Sequence, residues 1–459
     1  MSAVALPRRF YSLLWLAILL AVVIFFVSFR DDAWSSIPSP PKSWRIPFTT
    51  DDGVLSSWKG SSGNSDKGNN SKGTYKGRKA NEPLRIALVE SSGTHDEVAA
   101  AMLHAFGNYE NSQLDAYFAN QRFNMREIMD NFTLAANVTI NKFDKFAGAM
   151  TSDPRPHILV STTCEFDLDR GTDPVVDLLN HGETFLFCTI HHADRWAQGK
   201  YVSTVRGWAE RGLVDFVGLS QHTLDFLVKE TVPKWPSVAN LTTRVIPPVY
   251  PVQVPEANPN DAISLAMQGD YSSGRRDYNG IFNHLGSVIR KANETTDNHE
   301  PEEVVLHVIG HGTQPEVPEH VKNNIFFDSG LSYPDFYALL SRSFSIIPGF
   351  ASDTYYDRKA SSTIPASLIA GAPIVANEEL LNAYTYLPKE VTWVARPGEG
   401  EMDTIERVIA DKDGFIKRRQ RVRDLNKKLM ADNQKNCNEW MELGESKVKA
   451  YAEAQKQDK

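Results

Sequence analysis

From Pro83 onwards, short apolar runs alternate with segments of helical periodicity. The first run, residues 84–89, is followed by the loop SSGTHDE and then by apolar residues spaced as on one face of a helix. Repeated alternation of this kind builds a parallel sheet with helices on both faces, whereas a meander of antiparallel hairpins needs tight turns between strands. We therefore expect an α/β fold of the doubly wound type.

A proline-rich segment divides this alternation into two parts. Between residues 246 and 261 the chain carries Pro247, Pro248, Pro251, Pro255 and Pro259. Such a segment is stiff and extended, and neither a helix nor a central strand tolerates it. Because the alternation restarts after it, we predict two Rossmann-like domains that face a cleft, at residues 83–250 and 251–400. C-terminal helices are expected over residues 401–459.

Charge gives no general reason to expect nucleic acid as a partner. The net charge is −8, and binding to a polyanionic backbone requires a basic surface. A local basic stretch does occur at residues 417–428, within the predicted C-terminal helices. We interpret it as a solvated helix face, with a site for lipid or an acidic partner as the alternative.

Residues 10–29, FYSLLWLAILLAVVIFFVSF, form a run without a charge. A helix of this length matches the ~30 Å hydrocarbon core of a bilayer. Arg8 and Arg9 precede the run, and acidic residues follow it. The positive-inside rule therefore predicts a type II signal anchor at 10–29, with a cytosolic tail at 1–9 and the remainder in the lumen. A buried helix and a cleaved signal peptide are the alternatives.

Residues 30–82, rich in Ser, Gly, Asn and Lys, are predicted to form a flexible stem.

A luminal location makes glycosylation sequons and cysteines informative. Acceptor sequons occur at Asn69, Asn131, Asn137, Asn240 and Asn293. The cysteines are Cys164, Cys188 and Cys437, an odd number that is sparse for an oxidising compartment. Because Cys164 and Cys188 lie in or next to apolar runs, we expect buried thiols, with one disulfide as the alternative.

Candidate functional residues of the first domain follow its predicted strands, where doubly wound folds bind ligands. The first such loop contains Gly93, Thr94 and His95. A later loop contains His191 and His192. Histidine has an unperturbed pKa near ~6.5, which suits it to accept a proton from a hydroxyl group. Catalysis or substrate positioning, metal binding and a purely structural role remain alternatives for this pair.

The second domain carries two basic loops suited to phosphate. Arg275 and Arg276 follow a glycine-containing turn, and guanidinium groups bind anions through several donors of fixed geometry. Surface ion pairing is the alternative for these two residues. Lys359 precedes a predicted helix start that contains Ser361, Ser362 and Thr363. Exposed N–H groups at a helix start add to an anion site, although the same residues are also good helix caps.

Asp167 and Asp169 match an Asp-x-Asp pattern. Many metal-dependent glycosyltransferases use such a pattern to hold a divalent ion and a diphosphate. The pattern is short and frequent by chance. It supports the hypothesis that the protein is a metal-dependent transferase.

An ordered series of segments over residues 84–376 resembles GT-B glycosyltransferases of the family 1 and family 4 kind. In the second domain the resemblance rests on SLAMQGDYSSGRRDYNGIFNHL, VVLHVIGHG, NNIFFDSGLSYPDFYALLSRSFSIIPG and ASLIAGAPIVA. Upstream, VDFVGLSQHTLDFL and TRVIPPVYP resemble the end of the first domain and the crossover. The order is moderately specific, whereas each segment alone is weak.

The resemblance implies a hexosyltransferase-like enzyme with an acceptor domain at 83–250 and a nucleotide-sugar domain at 251–400. Arg275 matches the basic residue that contacts the donor diphosphate, and His191 or His192 lies where a first-domain histidine approaches the sugar. Three positions depart from the family pattern. Asp270 stands where many members have a basic residue after the glycine of the first turn, and Arg358 and Ala366 stand where many members have glutamates.

The expected protein is thus a Golgi-type, single-pass luminal glycosyltransferase. Its expected partners are a nucleotide sugar, a glycan, protein or lipid acceptor, and the membrane through residues 10–29. Neither a cofactor nor a metal is expected, because Arg275, Arg276, Lys359 and the helix start would neutralise the diphosphate. The missing glutamates keep open a catalytically inactive, membrane-tethered sugar-binding or scaffold protein.

Overall fold

The computed structural model describes residues 78–79, 81–235, 241–257, 262–294 and 303–457. The tail expected at 1–9, the anchor expected at 10–29 and most of the stem expected at 30–82 lie outside the described residues. Among the helices that are described, none is both long enough and apolar enough to cross a membrane.

The first domain is built on a seven-stranded parallel sheet. Its strands are β1 (Leu84–Glu90), β2 (Ser112–Phe118), β3 (Asn137–Lys142), β4 (Ile158–Ser161), β5 (Phe185–Ile190), β6 (Val214–Gly218) and β7 (Thr242–Val245). They are arranged in the order β3-β2-β1-β4-β5-β6-β7. The helices are α1 (Asp96–Phe106), α2 (Met125–Met129), α3 (Phe146–Thr151), α4 (Cys164–Arg170), α5 (Thr172–His181), α6 (Lys200–Glu210) and α7 (Gln221–Phe226). Strands β4, β5 and β6 are buried along their whole length, as expected for a sheet covered on both faces.

The second domain is built on a six-stranded parallel sheet. Its strands are β8 (Ile263–Gln268), β9 (Val304–Gly310), β10 (Ile325–Ser329), β11 (Ser345–Ile346), β12 (Ile374–Ala376) and β13 (Thr392–Val394). Their order is β10-β9-β8-β11-β12-β13. The helices are α8 (Tyr278–Glu294), α9 (Tyr333–Arg342), α10 (Thr354–Asp357), α11 (Thr363–Ala370), α12 (Glu378–Ala383), α13 (Glu401–Val408) and α14 (Lys412–Gln457). The prediction of two Rossmann-like parallel sheets is therefore confirmed.

Both sheets have a point at which the strand order reverses. In the first sheet it lies between β1 and β4, and in the second it lies between β8 and β11. Loops diverge there and leave a crevice at the carboxyl ends of the strands, where doubly wound folds bind ligands. The loops after β1 and β8 lie directly at these points.

The long helix α14 runs from the second domain back onto the first, where it contacts α1 and β5. Asn433 donates a hydrogen bond from Nδ2 to the carbonyl oxygen of Pro247 at 2.8 Å. The interpretation of residues 417–428 as a solvated face is wrong in part. Arg418 lies over the ring of Trp393 at 4.1 Å, and Arg419 is buried. The reason is that this part of α14 packs on the second domain instead of projecting into water.

Cys164 and Cys188 form a disulfide between α4 and β5, with their Cα atoms 5.3 Å apart. The expectation of two buried thiols is therefore wrong, and the alternative is the one that the structure contains. Cys437 is a buried free thiol in α14. The disulfide fixes the start of α4 next to the strand that carries the two candidate histidines.

Candidate active site

Two adjoining cavities lie between the domains at the carboxyl ends of both sheets. The larger has a volume of about 430 Å³ and the smaller a volume of about 140 Å³. Five residues line both cavities, namely Glu97, Pro248, Gly269, Ser362 and Pro365. The cavities are therefore parts of one interdomain cleft, with walls supplied by both domains.

The loop after β1 supplies one wall of this cleft. His95 lines the smaller cavity and Thr94 the larger, whereas Gly93 lines neither. Gly93 has a φ of +67° and donates its N–H to the carboxylate of Glu90 at 2.9 Å, so it shapes the turn. Burial, followed by the nearby charges of other basic groups, lowers the pKa of His95 well below its usual value.

The loop after β5 brings His191 next to His95, with the two ring centroids 4.3 Å apart. His191 Nε2 lies 2.8 Å from the carbonyl oxygen of Thr162. Because a carbonyl oxygen only accepts hydrogen bonds, Nε2 carries the proton. In the neutral ring Nδ1 therefore has the free lone pair, and His191 lines the smaller cavity. This tautomer suits acceptance of a proton.

A buried carboxylate fixes the backbone of this histidine loop. Glu165 Oε1 accepts hydrogen bonds from the backbone N–H groups of His191 and His192 and from Nε1 of Trp196, each at 2.9 Å. Glu165 lies in α4, directly after the disulfide-bonded Cys164. The histidines are thus held by a rigid element of the first domain.

His192 connects the two domains. Its backbone pairs with that of Lys359 in an antiparallel bridge. Burial, together with the charges of Arg195 and Lys359, lowers the pKa of His192 to about 3. Its Nδ1 atom is buried and has no hydrogen-bond partner in the described part of the chain. His192 is therefore a neutral imidazole that lines the smaller cavity.

The two arginines after β8 differ sharply. Arg275 is 47% exposed in its side chain, pairs with Asp270 at 2.5 Å and lines the smaller cavity. Arg276 is only 2% exposed. It donates to the carbonyl oxygen of Gln268 through Nε and Nη2, and to Thr363 Oγ1 at 3.1 Å. Arg276 also lines the smaller cavity, and its guanidinium is bonded within its own domain, so its role in phosphate binding stays a prediction.

Lys359 and the start of α11 form the facing wall of the smaller cavity. The ammonium group of Lys359 has neither an ion pair nor a hydrogen bond within the described residues. Ser362 is exposed and lines both cavities. Ser361 and Thr363 are buried and bond to each other through their hydroxyl groups at 3.2 Å. The structure therefore leaves Lys359 and Ser362 open to a ligand and uses Ser361 and Thr363 to build the helix start.

Glu97 is a cleft residue that the sequence interpretation missed. It lies in the first turn of α1 and lines both cavities. The hydroxyl group of Tyr333, in α9 of the second domain, donates to Glu97 Oε2 at 3.0 Å. Burial raises the pKa of Glu97. The available signal was its position in the loop-helix junction SSGTHDE, two residues after His95.

Asp167 and Asp169 do not form a metal site, and the interpretation of them as a ligand pair is wrong. Asp167 is buried and accepts hydrogen bonds from the N–H groups of Ser91 and Thr163 and from the hydroxyl group of Ser161. Asp169 pairs with Lys200 at 2.9 Å. Both residues lie in α4, where positions two apart point in different directions. No cluster of three or more metal-ligating side chains occurs among the residues described.

Comparison with known proteins identifies the architecture. HepE of Anabaena in complex with UDP-glucose superposes with a TM-score of 0.51, at 10% identity, over 78% of this chain and 99% of that chain. An O-GlcNAc transferase variant of Thermobaculum terrenum superposes with a TM-score of 0.50, at 12% identity, over 82% of this chain and 69% of that chain. The chain has the GT-B fold. No protein-family model and no curated protein sequence matches it.

In this GT-B chain, the two positions where many family members have glutamates lie at the cleft or close to it. Ala366 lines the larger cavity, so the wall there is apolar. Arg358 pairs with Asp357 at 2.7 Å and lies 3.9 Å from Asp194 of the first domain. A different carboxylate, Asp328 at the end of β10, lines the larger cavity and pairs with His307 at 2.8 Å.

Proposed function

We propose that the protein is a glycosyltransferase that transfers a sugar from a nucleotide-sugar donor to a glycan, protein or lipid acceptor. One observation carries this proposal. Two adjoining cavities occupy the GT-B cleft. The ammonium group of Lys359 and the partly exposed guanidinium of Arg275, which pairs with Asp270, line the smaller cavity together with histidines of the first domain. The complex of HepE with UDP-glucose supports a uridine nucleotide sugar as the first donor to test.

The larger cavity is the proposed site of the nucleoside. It is lined by the loops after β8, β9 and β10, including Gly310, His311 and Ser329. The Asp328 carboxylate is an acceptor suited to sugar hydroxyl groups. The donor sugar then occupies the smaller cavity, with its diphosphate where the cavities meet at Gly269 and Ser362.

The second domain is proposed to stabilise the leaving diphosphate without a metal. Arg275 has a partly exposed guanidinium, and Lys359 contributes an ammonium group that has no partner within the described residues. The start of α11 adds the partial positive charge of its backbone amides. Preorganised positive charge of this kind lowers the barrier to departure of a phosphate leaving group.

The first domain is proposed to orient the reacting hydroxyl group. His191 presents Nδ1 as a proton acceptor because Thr162 holds Nε2–H. Glu97 lies where both cavities meet and offers a carboxylate for a hydroxyl of the donor or acceptor. The two groups lie on the same side of the cleft, opposite the cations.

A second candidate function is a catalytically inactive sugar-binding or scaffold protein. The specific observation in its favour is that Arg358 and Ala366 occupy the positions of the family glutamates. A protein of this kind binds a nucleotide sugar or glycan but does not release the nucleotide.

For location, we propose a single-pass type II protein of the Golgi or another secretory-pathway membrane, anchored by residues 10–29. The Cys164–Cys188 disulfide supports this, because disulfides persist in oxidising compartments. Three of the sequon residues, Asn131, Asn137 and Asn293, are exposed. Endoglycosidase treatment of the protein made in secretory cells should reduce its mass. An unmodified protein with three titratable thiols would contradict the proposal.

The test of function uses the full-length protein in detergent micelles with a panel of nucleotide sugars and a measurement of released nucleoside diphosphate. We expect turnover of one donor and a loss of about a hundredfold in Lys359→Ala. Lys322→Ala is the matched control, because Lys322 is exposed and pairs only with Glu319. Binding without release would favour the inactive candidate. Failure of every nucleotide sugar to bind would contradict both.

A further inference from the structure

A strained segment of the first domain reaches the larger cavity. It connects β2 to α2, and its residues Phe123 and Asn124 have φ values of +51° and +56°. Asparagine tolerates the left-handed region, but a bulky aromatic residue there is a genuine outlier. Strain of this kind persists only where the surroundings impose it, and it is concentrated at functional sites.

Contacts with the second domain impose this conformation. The backbone N–H of Tyr333 donates to the carbonyl oxygen of Phe123 at 2.7 Å. The rings of Phe123 and Tyr333 are perpendicular, with centroids 6.3 Å apart. Arg122 lies over the Phe123 ring at 5.4 Å and is 3.7 Å from Asp96. The segment thus spans the cleft and is fixed on the far side.

The Phe123 ring itself is not used for core packing. It lines the larger cavity and is 44% exposed. A ring that remains this exposed gains little from burial, so packing alone does not account for the strained backbone. The strain instead holds the Phe123 side chain at the cavity.

The position of the ring along the cavity indicates which part of the donor it meets. Arg275 and the start of α11 lie by β8 and β11, whereas Tyr333 follows β10. From β8 to β10 there are two strand spacings, or about 10 Å. A nucleoside diphosphate with its phosphates near Arg275 therefore extends its base towards Phe123.

We propose that Phe123 is a donor-binding residue that stacks on the nucleobase. The inference rests on the proposed function and deepens it. A residue of the acceptor domain contacts the base, so donor binding joins the two domains. The Arg122 guanidinium lies over the ring, 5.4 Å from its centroid, and also lines the larger cavity. Stacking on an aromatic face is tolerant of base identity, so Phe123 contributes affinity more than base selectivity.

The experiment compares the affinities of the full-length protein for UDP, GDP and inorganic pyrophosphate. We expect Phe123→Ala to lower the affinity for both nucleotides by about tenfold or more and to leave the affinity for pyrophosphate unchanged. Phe123→Leu, which keeps an apolar side chain but no π face, should show the same loss. Phe123→Trp should bind as wild type. Phe326→Ala is the matched control, because Phe326 is 46% exposed on β10 and does not line the cavity.

The outcomes separate this inference from the proposed function. Nucleotide affinity in Phe123→Ala equal to wild type would overturn the inference and leave the proposed function standing. Equal loss of nucleotide and pyrophosphate would also overturn it, because the loop would then act on the whole site. Wild-type protein that binds neither UDP nor GDP nor any other nucleoside diphosphate of the donor panel would contradict the proposed function itself, and the inference with it.

Discussion

The hydroxyl group of Tyr333 donates a hydrogen bond across the cleft to Oε2 of Glu97, with the two oxygens 3.0 Å apart. Tyr333 belongs to α9 of the second domain and Glu97 to α1 of the first. Because Glu97 also lines both cavities, this bond joins the two domains at a carboxyl group of the proposed reaction centre.

Tyr333→Phe should move the acid limb of the kcat/KM profile to higher pH. Burial already raises the pKa of Glu97, and the Tyr333 hydroxyl opposes this by stabilising the carboxylate. Its removal raises the pKa further, so a more alkaline solution is needed to ionise the group. Tyr109→Phe is the control, because Tyr109 contacts Glu442 at 3.5 Å, outside the residues that line the cleft. An unchanged acid limb would show that the Glu97 carboxylate does not act in the reaction.

Donor binding should be accompanied by proton uptake at His192. The pKa of this residue is about 3 because of burial and nearby cations, including Lys359. A bound diphosphate offsets those cations and raises the pKa, so the protonated fraction of His192 increases in acidic solution. Calorimetry in buffers of different ionisation enthalpy measures this uptake. UDP-glucose is the suitable probe, because its diphosphate has no secondary ionisation in this range. His192→Gln should abolish the uptake, and equal uptake in wild type and variant would contradict the prediction.

Glu165→Ala should destabilise the protein by about 3 kcal/mol, because three hydrogen bonds to a charged acceptor are lost. Urea unfolding measures the change in the free energy of unfolding. Glu210→Ala, at an exposed position in α6, is the control. Since Glu165 positions His191 and His192, the variant should also lose more in kcat than in donor affinity. A change in stability below about 0.5 kcal/mol would show that the loop is held by other contacts.

Asp96→Asn should stabilise the protein above about pH 7. Burial raises the pKa of Asp96 from 3.8 to about 7. Between these values the folded state holds a proton that the unfolded state has released, so stability falls as pH rises through this window. The Asp96→Asn variant has no carboxyl group at this position, so its stability does not fall in this way. Thermal unfolding measures the free energy of unfolding at each pH. From about pH 4 to pH 8, this free energy should rise in the variant relative to wild type by a few kcal/mol. A difference in the free energy of unfolding that does not change with pH would exclude a raised pKa of Asp96.

Apolar runs at residues 84–89, 114–118, 184–189, 262–267 and 304–309 predict strands of both sheets, whereas β3, β7 and β13 are not predicted. These three strands are the edges of the sheets, apart from β10. β3 and β7 contain no fully buried residue, and β13 has only three residues. Edge strands lack the continuous apolar pattern of strands covered on both faces. Their pairing is decided by neighbours that are distant in sequence.

The candidate site was predictable at the level of loops and not of individual side chains. Arg275 and Arg276 are adjacent and chemically identical, yet Arg275 is partly exposed whereas Arg276 is buried. The difference arises because the Gln268 carbonyl and the Thr363 hydroxyl accept hydrogen bonds from Arg276. Glu97 accepts a hydrogen bond in the cleft from Tyr333, which is 236 residues further along the chain. A contact over such a separation leaves no local pattern.

The central claim, that the second domain neutralises a nucleotide diphosphate in this cleft, is tested most directly by calorimetric titration of the full-length protein with UDP and with uridine. The account predicts that the double variant Arg275→Ala, Lys359→Ala binds UDP about a hundredfold more weakly than wild type, because two charge-assisted contacts are lost. Uridine affinity should be unchanged, since it carries no phosphate. Equal affinity of the double variant and wild type for UDP would contradict the account.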